Sequence, residues 1–122
     1  MYTLTISSGF SAAHRLINYQ GSCEKLHGHN WKVEVSVIAH ELDEAGIGLD
    51  FKTLKRQTGE VIEELDHSYL NEIPAFKGLS PSSEHIARYL FQKIGEQLNN
   101  ETVRIDSVRV WESENASARY YE

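Results

Sequence analysis

His27 and His29 flank a glycine in the stretch CEKLHGHNWKVEV, and Cys23, the single cysteine of the chain, lies four residues before the first of them. On an extended segment, residues two apart point to the same side, so both imidazoles would face one way. His14 closes a run of alternating residues that begins at Tyr2. If that run pairs with the strand after His29, three imidazoles meet at one end of a sheet. Three neutral imidazoles with an open fourth position form the pattern of a catalytic Zn2+ site, whereas a structural zinc would want four ligands with several thiolates. Each histidine alone has a bland explanation as a loop or strand-end residue. Their combination with Cys23 and the strand geometry points to metal chemistry. Cys23 lies in a polar loop beside that proposed cationic centre, a setting that lowers a thiol pKa and suits it to act as a general base.

Two further groups carry potential chemistry. Asp66 and His67, in LDHSYLN, follow a helical pattern, and a carboxylate beside a histidine can orient it and raise its basicity. A histidine at a helix C-terminus also answers the helix dipole, so capping is the competing reading. Glu112 ends the face formed by Val108 and Val110, and burying a carboxylate there is costly unless it meets a donor-rich partner. A guanidine-like edge, such as the 2-amino-pyrimidinone of a pterin, offers two N–H groups in a fork that one carboxylate can accept. Glu84, in the first turn of a second helix, is either a dipole partner or a ligand contact.

The elements that would position these residues follow from periodicity. Residues 2–14 alternate with period two, with Gly9 a candidate bulge, and residues 31–39 place Trp31, Val33, Val35 and Val37 on one face. The polar stretch HELDEAGIG suits the tip of a long hairpin. Asp50 is placed to cap a helix starting at Phe51, with Phe51, Leu54, Val61, Ile62 and Leu65 as its apolar stripe and a gap at Thr58. Ser80 and Pro81 read as N-cap and first helical residue of a second helix. Its inward residues are Ile86, Ala87, Leu90, Phe91, Ile94 and Leu98. Strands over 103–112 and 116–121 form a closing hairpin. The class is α+β: a four-stranded antiparallel sheet with two helices on one face, in a single domain over residues 1–122. Its other face and its edges call for self-association.

Composition bounds the function. With 122 residues, 40% hydrophobic and 25% charged, the chain can bury one core. A net charge of −6 argues against general nucleic-acid binding, which wants a basic stripe. The apolar runs are too short to span a membrane, the N-terminus lacks a secretory pattern, and a lone cysteine fits a reducing cytoplasmic setting.

The blocks FSAAHRL, CEKLHGHNW, LDFKTLK, LDHSYLN, PSSEHIARYL and VRVWESENASARY, in this order, resemble the 6-pyruvoyl-tetrahydropterin synthase family over nearly the whole chain. The Cys-x3-His-Gly-His spacing is similar to its queuosine-pathway branch, the 6-carboxytetrahydropterin synthases. The resemblance implies that His14, His27 and His29 hold zinc and that Cys23 is the proton-abstracting base. Asp66 and His67 would be a second acid/base pair from a neighbouring subunit, and Glu112 would anchor the pterin, helped by Ser82, Ser83 and Glu84. It further implies the tunnelling fold, in which sheets of three subunits close a barrel and two trimers stack as a homohexamer. The implied reaction takes 7,8-dihydroneopterin triphosphate to 6-carboxy-5,6,7,8-tetrahydropterin, releasing acetaldehyde and triphosphate. Arg15 and Lys25 are candidates for holding the triphosphate.

Ser82 and Ser113 stand where many relatives carry threonine, which keeps the hydroxyl. Glu24 resembles the glutamate that serves as base in folate-type relatives giving 6-hydroxymethyl-dihydropterin, so a dual activity is an alternative. A non-catalytic pterin- or metal-binding oligomer is another, although a binder has no need of two proton-transfer groups.

Overall fold

In the computed structural model, which describes residues 1–21 and 23–122, two long strands pair antiparallel from end to end: β1 (Tyr2–His14) and β2 (His27–Ala39). Helix α1 (Phe51–Glu63), a two-residue strand β3 (Ser68–Tyr69), helix α2 (Ser83–Leu98), β4 (Val103–Ser113) and β5 (Ala116–Tyr121) follow. The sheet order is β3-β1-β2-β4-β5. The expected four-stranded antiparallel sheet is therefore a five-stranded mixed one, because β3 adds parallel to β1 at Ala12 and Ala13. The four long strands are antiparallel, and both helices lie on one face.

The alternation read from the sequence describes the core. Ile6, Phe10, Ala12 and His14 of β1 are buried, as are Trp31, Val33, Val35, Val37 and Ala39 of β2, against Leu54, Val61, Ile62 and Leu65 of the first helical segment and the apolar face of α2. At roughly 25 cal/mol per Å2 of apolar area, this layer is the main favourable term in folding. The gap at Thr58 is closed by the threonine itself, which is fully buried. Asp50 caps α1 by accepting from the Lys52 amide at 2.8 Å.

Three local expectations change. Gly9 is not a bulge: it pairs with Lys32 in unbroken register, and a Cβ there would sit 2.8 Å from the Trp31 carbonyl oxygen. The glycine is required by close approach of the two backbones. HELDEAGIG is not a hairpin tip but carries the chain from β2 to α1, while residues 15–26 join β1 to β2. The cap of α2 is Ser82, whose hydroxyl accepts from the His85 amide, rather than Ser80 with Pro81. Ser80 instead donates its hydroxyl to the Ile17 carbonyl and accepts from the Ile17 amide. β4 also carries a bulge. Its register steps from Ser107 opposite Ser36 to Ile105 opposite Val37, leaving Asp106 extra, and this bulge moves the inward positions from Val103 and Ile105 to Val108 and Val110.

Candidate metal centre and active site

The end of the sheet where β1 stops and β2 starts gathers the histidines. β2 begins at His27, four residues earlier than its apolar run, so His27 and His29 continue the inward parity of Trp31 and Val33. Register places His14 opposite His27 and Ala12 opposite His29. Glu112 arrives from β4, two residues beyond Val110. In the pairing of β4 with β5, Trp111 meets Ser117 and Ser113 meets Ala116, so Glu112 is itself the extra residue of a bulge. Bulges re-aim side chains next to sites. One donor atom from each of His14, His27, His29 and Glu112 lies within 4.8 Å of all the others.

The hydrogen bonds at the far side of the rings fix their tautomers. His14 Nδ1 lies 2.8 Å from the Pro81 carbonyl oxygen, and His27 Nδ1 lies 2.8 Å from the Lys25 carbonyl oxygen. A carbonyl only accepts, so each Nδ1 carries the proton and each neutral ring presents an Nε2 lone pair. Those two Nε2 atoms face one another at 3.0 Å. Two lone pairs at that separation repel unless a proton or a cation stands between them. His29 Nε2 is buried and has no hydrogen-bond partner among the described residues, although Glu112 Oε1 is 3.0 Å away. Burial, followed by its two histidine neighbours, pulls the His14 pKa below the ordinary imidazole value, with the Pro81 carbonyl and Glu112 opposing, which favours the neutral ring a metal requires. The donor set fits a divalent ion bound by imidazole and carboxylate. Trp31 walls the site, its ring centroid 4.9 Å from that of His14 and 5.2 Å from that of His29.

The remaining candidates are arranged around this centre without joining it. Cys23 is a free, exposed thiol on the loop that enters β2. Glu24, beside it, is committed to the loop: its amide donates to the Leu16 carbonyl at 2.9 Å, and its Oε1 accepts from the Leu16 amide at 3.2 Å. Ser82, Ser83 and Glu84 open α2 directly after Pro81, whose carbonyl holds His14, so that helix start is tied to the histidine cluster. Exposed Arg15 and Lys25 lie on the same loop.

Asp66 and His67 are not at the end of α1, which stops at Glu63, and His67 does not cap it. His67 takes a left-handed φ of 55°, and its amide donates to the Ser11 carbonyl, while Asp66 Oδ1 accepts from the Ser11 amide at 2.9 Å. That amide contact, helped by His67, holds the Asp66 carboxyl below its usual range against the opposing desolvation. His67 Nδ1 sits 3.0 Å from Asp66 Oδ2, and the His67 side chain is 82% exposed. The pair is thus assembled and turned outward, outside the metal group of the same chain.

Asn71 is a residue that sequence reading missed. Its carboxamide accepts from the Arg15 amide at 3.0 Å and donates to the Arg15 carbonyl at 2.9 Å. It therefore locks the backbone next to His14 onto the segment carrying Asp66 and His67. Asn71→Ala should cost about 0.5–1.5 kcal/mol of stability per hydrogen bond lost, since water can reach both exposed backbone groups, and weaken metal binding; urea unfolding and a metal-competition titration check both. The visible signal was the polar amide in LDHSYLN, two residues after a strand-like Ser-Tyr.

Residues 3–122 match the sequence profile of the family described as 6-pyruvoyl tetrahydropterin synthase. The chain belongs to that family. It is 34% identical over 126 residues to the 6-carboxy-5,6,7,8-tetrahydropterin synthase of Synechocystis, covering 99% of this chain and 94% of the relative. An Archaeoglobus fulgidus protein provisionally given the same name is 42% identical over 101 residues, 82% of this chain and 83% of its own length. The fold is similar to that of the Caenorhabditis elegans 6-pyruvoyl tetrahydropterin synthase, with a TM-score of 0.83, 26% identity and coverage of 99% and 95% of the two chains. Among the described residues no helix is long and apolar enough to cross a membrane.

Proposed function

We propose that this protein is a zinc-dependent carbon–carbon lyase of the cytoplasm that converts 7,8-dihydroneopterin triphosphate and water to 6-carboxy-5,6,7,8-tetrahydropterin, acetaldehyde and triphosphate, an early step toward queuosine. The observation that carries the metal half is the pair of facing Nε2 lone pairs on His14 and His27 beside the unpartnered Nε2 of His29. Relatives named as 6-carboxytetrahydropterin synthases, together with the Cys-x3-His-Gly-His spacing, support the substrate half.

His14, His27 and His29 would hold the zinc, which supplies Lewis acidity toward side-chain oxygens of the substrate. Cys23 removes a proton from the adjacent side-chain carbon as general base. Asp66 and His67 hold and move the second proton, Asp66 keeping His67 oriented through Nδ1. Their outward position supports donation to the site of a neighbouring copy, in a trimer whose sheets close a barrel and which stacks with a second trimer as a homohexamer. Glu112 receives the N–H fork of the pterin, helped by Ser82, Ser83 and Glu84 at the start of α2. Arg15 and Lys25 receive the triphosphate.

The folate-type alternative needs Glu24 as a base. Its hydrogen bond from the Leu16 amide argues for a loop-holding role instead. The test is to incubate zinc-loaded protein with 7,8-dihydroneopterin triphosphate and identify the pterin by mass while assaying acetaldehyde. Carboxytetrahydropterin with acetaldehyde is the expected result. Hydroxymethyl-dihydropterin would transfer the assignment to Glu24, and metal-loaded hexamer without turnover would leave a pterin- or metal-binding oligomer.

A further inference from the structure

We infer that Glu112 has two partners in turn: it occupies the fourth metal position while no pterin is bound, and gives that position up when a pterin takes its carboxylate. The second half rests on the pterin reading above; the first does not.

Glu112 Oε1 lies 3.0 Å from His29 Nε2 and 3.5 Å from His14 Nε2. The His29 contact is short, yet it lacks hydrogen-bond geometry. Two donor atoms close together but not aimed at each other converge on a common third point. Around a tetrahedral zinc with bonds of about 2.0–2.1 Å, neighbouring donors stand roughly 3.3 Å apart. Three of the six separations among the four donors, 3.0, 3.0 and 3.5 Å, fall near that value, and all six are within 4.8 Å. Glu112 is thus placed as a ligand of the same kind as the three imidazoles.

The same side chain is free to leave. It stands on a bulge at the end of β4 and is 38% exposed, whereas His14 is 2% exposed and held at Nδ1 by Pro81. A pterin edge with two N–H groups engages both carboxylate oxygens, so metal and pterin compete for one group. A metal with four protein ligands is closed, and a metal with three is open to substrate. Loss of Glu112 to the pterin would therefore open the centre only when a substrate ring is in place, and would keep it closed otherwise.

The test uses protein loaded with Co2+, whose visible absorption reports its ligands, in wild type and Glu112→Gln, without substrate. The expected result is a shifted spectrum and metal affinity weakened by roughly tenfold or more in Glu112→Gln, since loss of even an outer-shell partner costs about 10–100-fold. Identical spectra and affinities would overturn the inference, whatever the enzyme's activity. A second measurement needs no variant: wild-type Co2+ protein is titrated with 7,8-dihydropterin, which has no side chain at C6 to reach the metal. The spectrum should move toward that of Glu112→Gln. Binding of dihydropterin, measured by dialysis, with no spectral change would overturn the exchange. Absence of binding would overturn it together with the pterin-anchoring role of Glu112, leaving the metal-ligand result standing by itself.

Discussion

His29→Ala should leave a folded protein that retains little metal after desalting and turns over roughly 10³-fold more slowly. A bound zinc acting as Lewis acid is worth several kcal/mol of barrier, at about 1.4 kcal/mol per decade of rate. His29 is the decisive position because its Nε2 has no hydrogen-bond partner to lose among the described residues. Its side chain is 26% exposed and lies beyond the apolar row of β2. His14 would be a poorer test. It is 2% exposed and bonded to the Pro81 carbonyl, so its removal would leave a cavity and an unpaired carbonyl as well as a missing ligand. Metal analysis and thermal melting, run on the same His29→Ala sample, separate the two effects. Full metal retention with normal turnover would sink the assignment of this cluster as a catalytic metal centre.

The meeting of the three histidines was legible because they obey the simplest rule in the chain, the period of two. His14 ends the even-numbered inward row of β1, and His27 and His29 begin the odd-numbered inward row of β2. Once the strands pair, the three must meet. What hid the start of β2 was composition: His-Gly-His-Asn lacks the apolar residues by which strands are recognised, yet its backbone continues the ladder to His14. Glu112 was legible as a costly carboxylate on an apolar face. Its approach to the histidines was not, since it depends on two bulges, at Asp106 and at Glu112 itself, that shift side-chain direction without a glycine or proline to mark them. The first helix was carried about one turn too far, to Asp66 and His67, because the apolar stripe runs on to Leu65. The helix nevertheless ends at Glu63, and β3 forms when Ser11 takes the His67 amide and the Asp66 carboxylate. The same competition between local and tertiary bonds moved the α2 cap from Ser80 to Ser82: the Ser80 hydroxyl is spent on Ile17, across 63 residues of sequence.

Cys23→Ala should lower kcat by about 10²–10⁴-fold, the range for loss of a general base, while metal content and KM stay near wild type. The thiol is exposed and free, so its removal should change stability by no more than about 0.5 kcal/mol. The comparison that gives the result meaning is with Glu24. Glutamine at position 24 keeps an oxygen to accept from the Leu16 amide, so Glu24→Gln should retain most activity if the side chain serves to hold the loop. Glu24→Ala loses that bond and should lower activity more, since Cys23 is the residue immediately before it and its placement depends on the same loop. A base role for Glu24 predicts a different order: both Glu24 variants inactive, Cys23→Ala active, and hydroxymethyl-dihydropterin as the product lost. Loss in Glu24→Ala with recovery in Glu24→Gln separates a residue that positions the base from one that is the base, because glutamine can replace a carboxylate as a hydrogen-bond acceptor and cannot replace it as a proton acceptor.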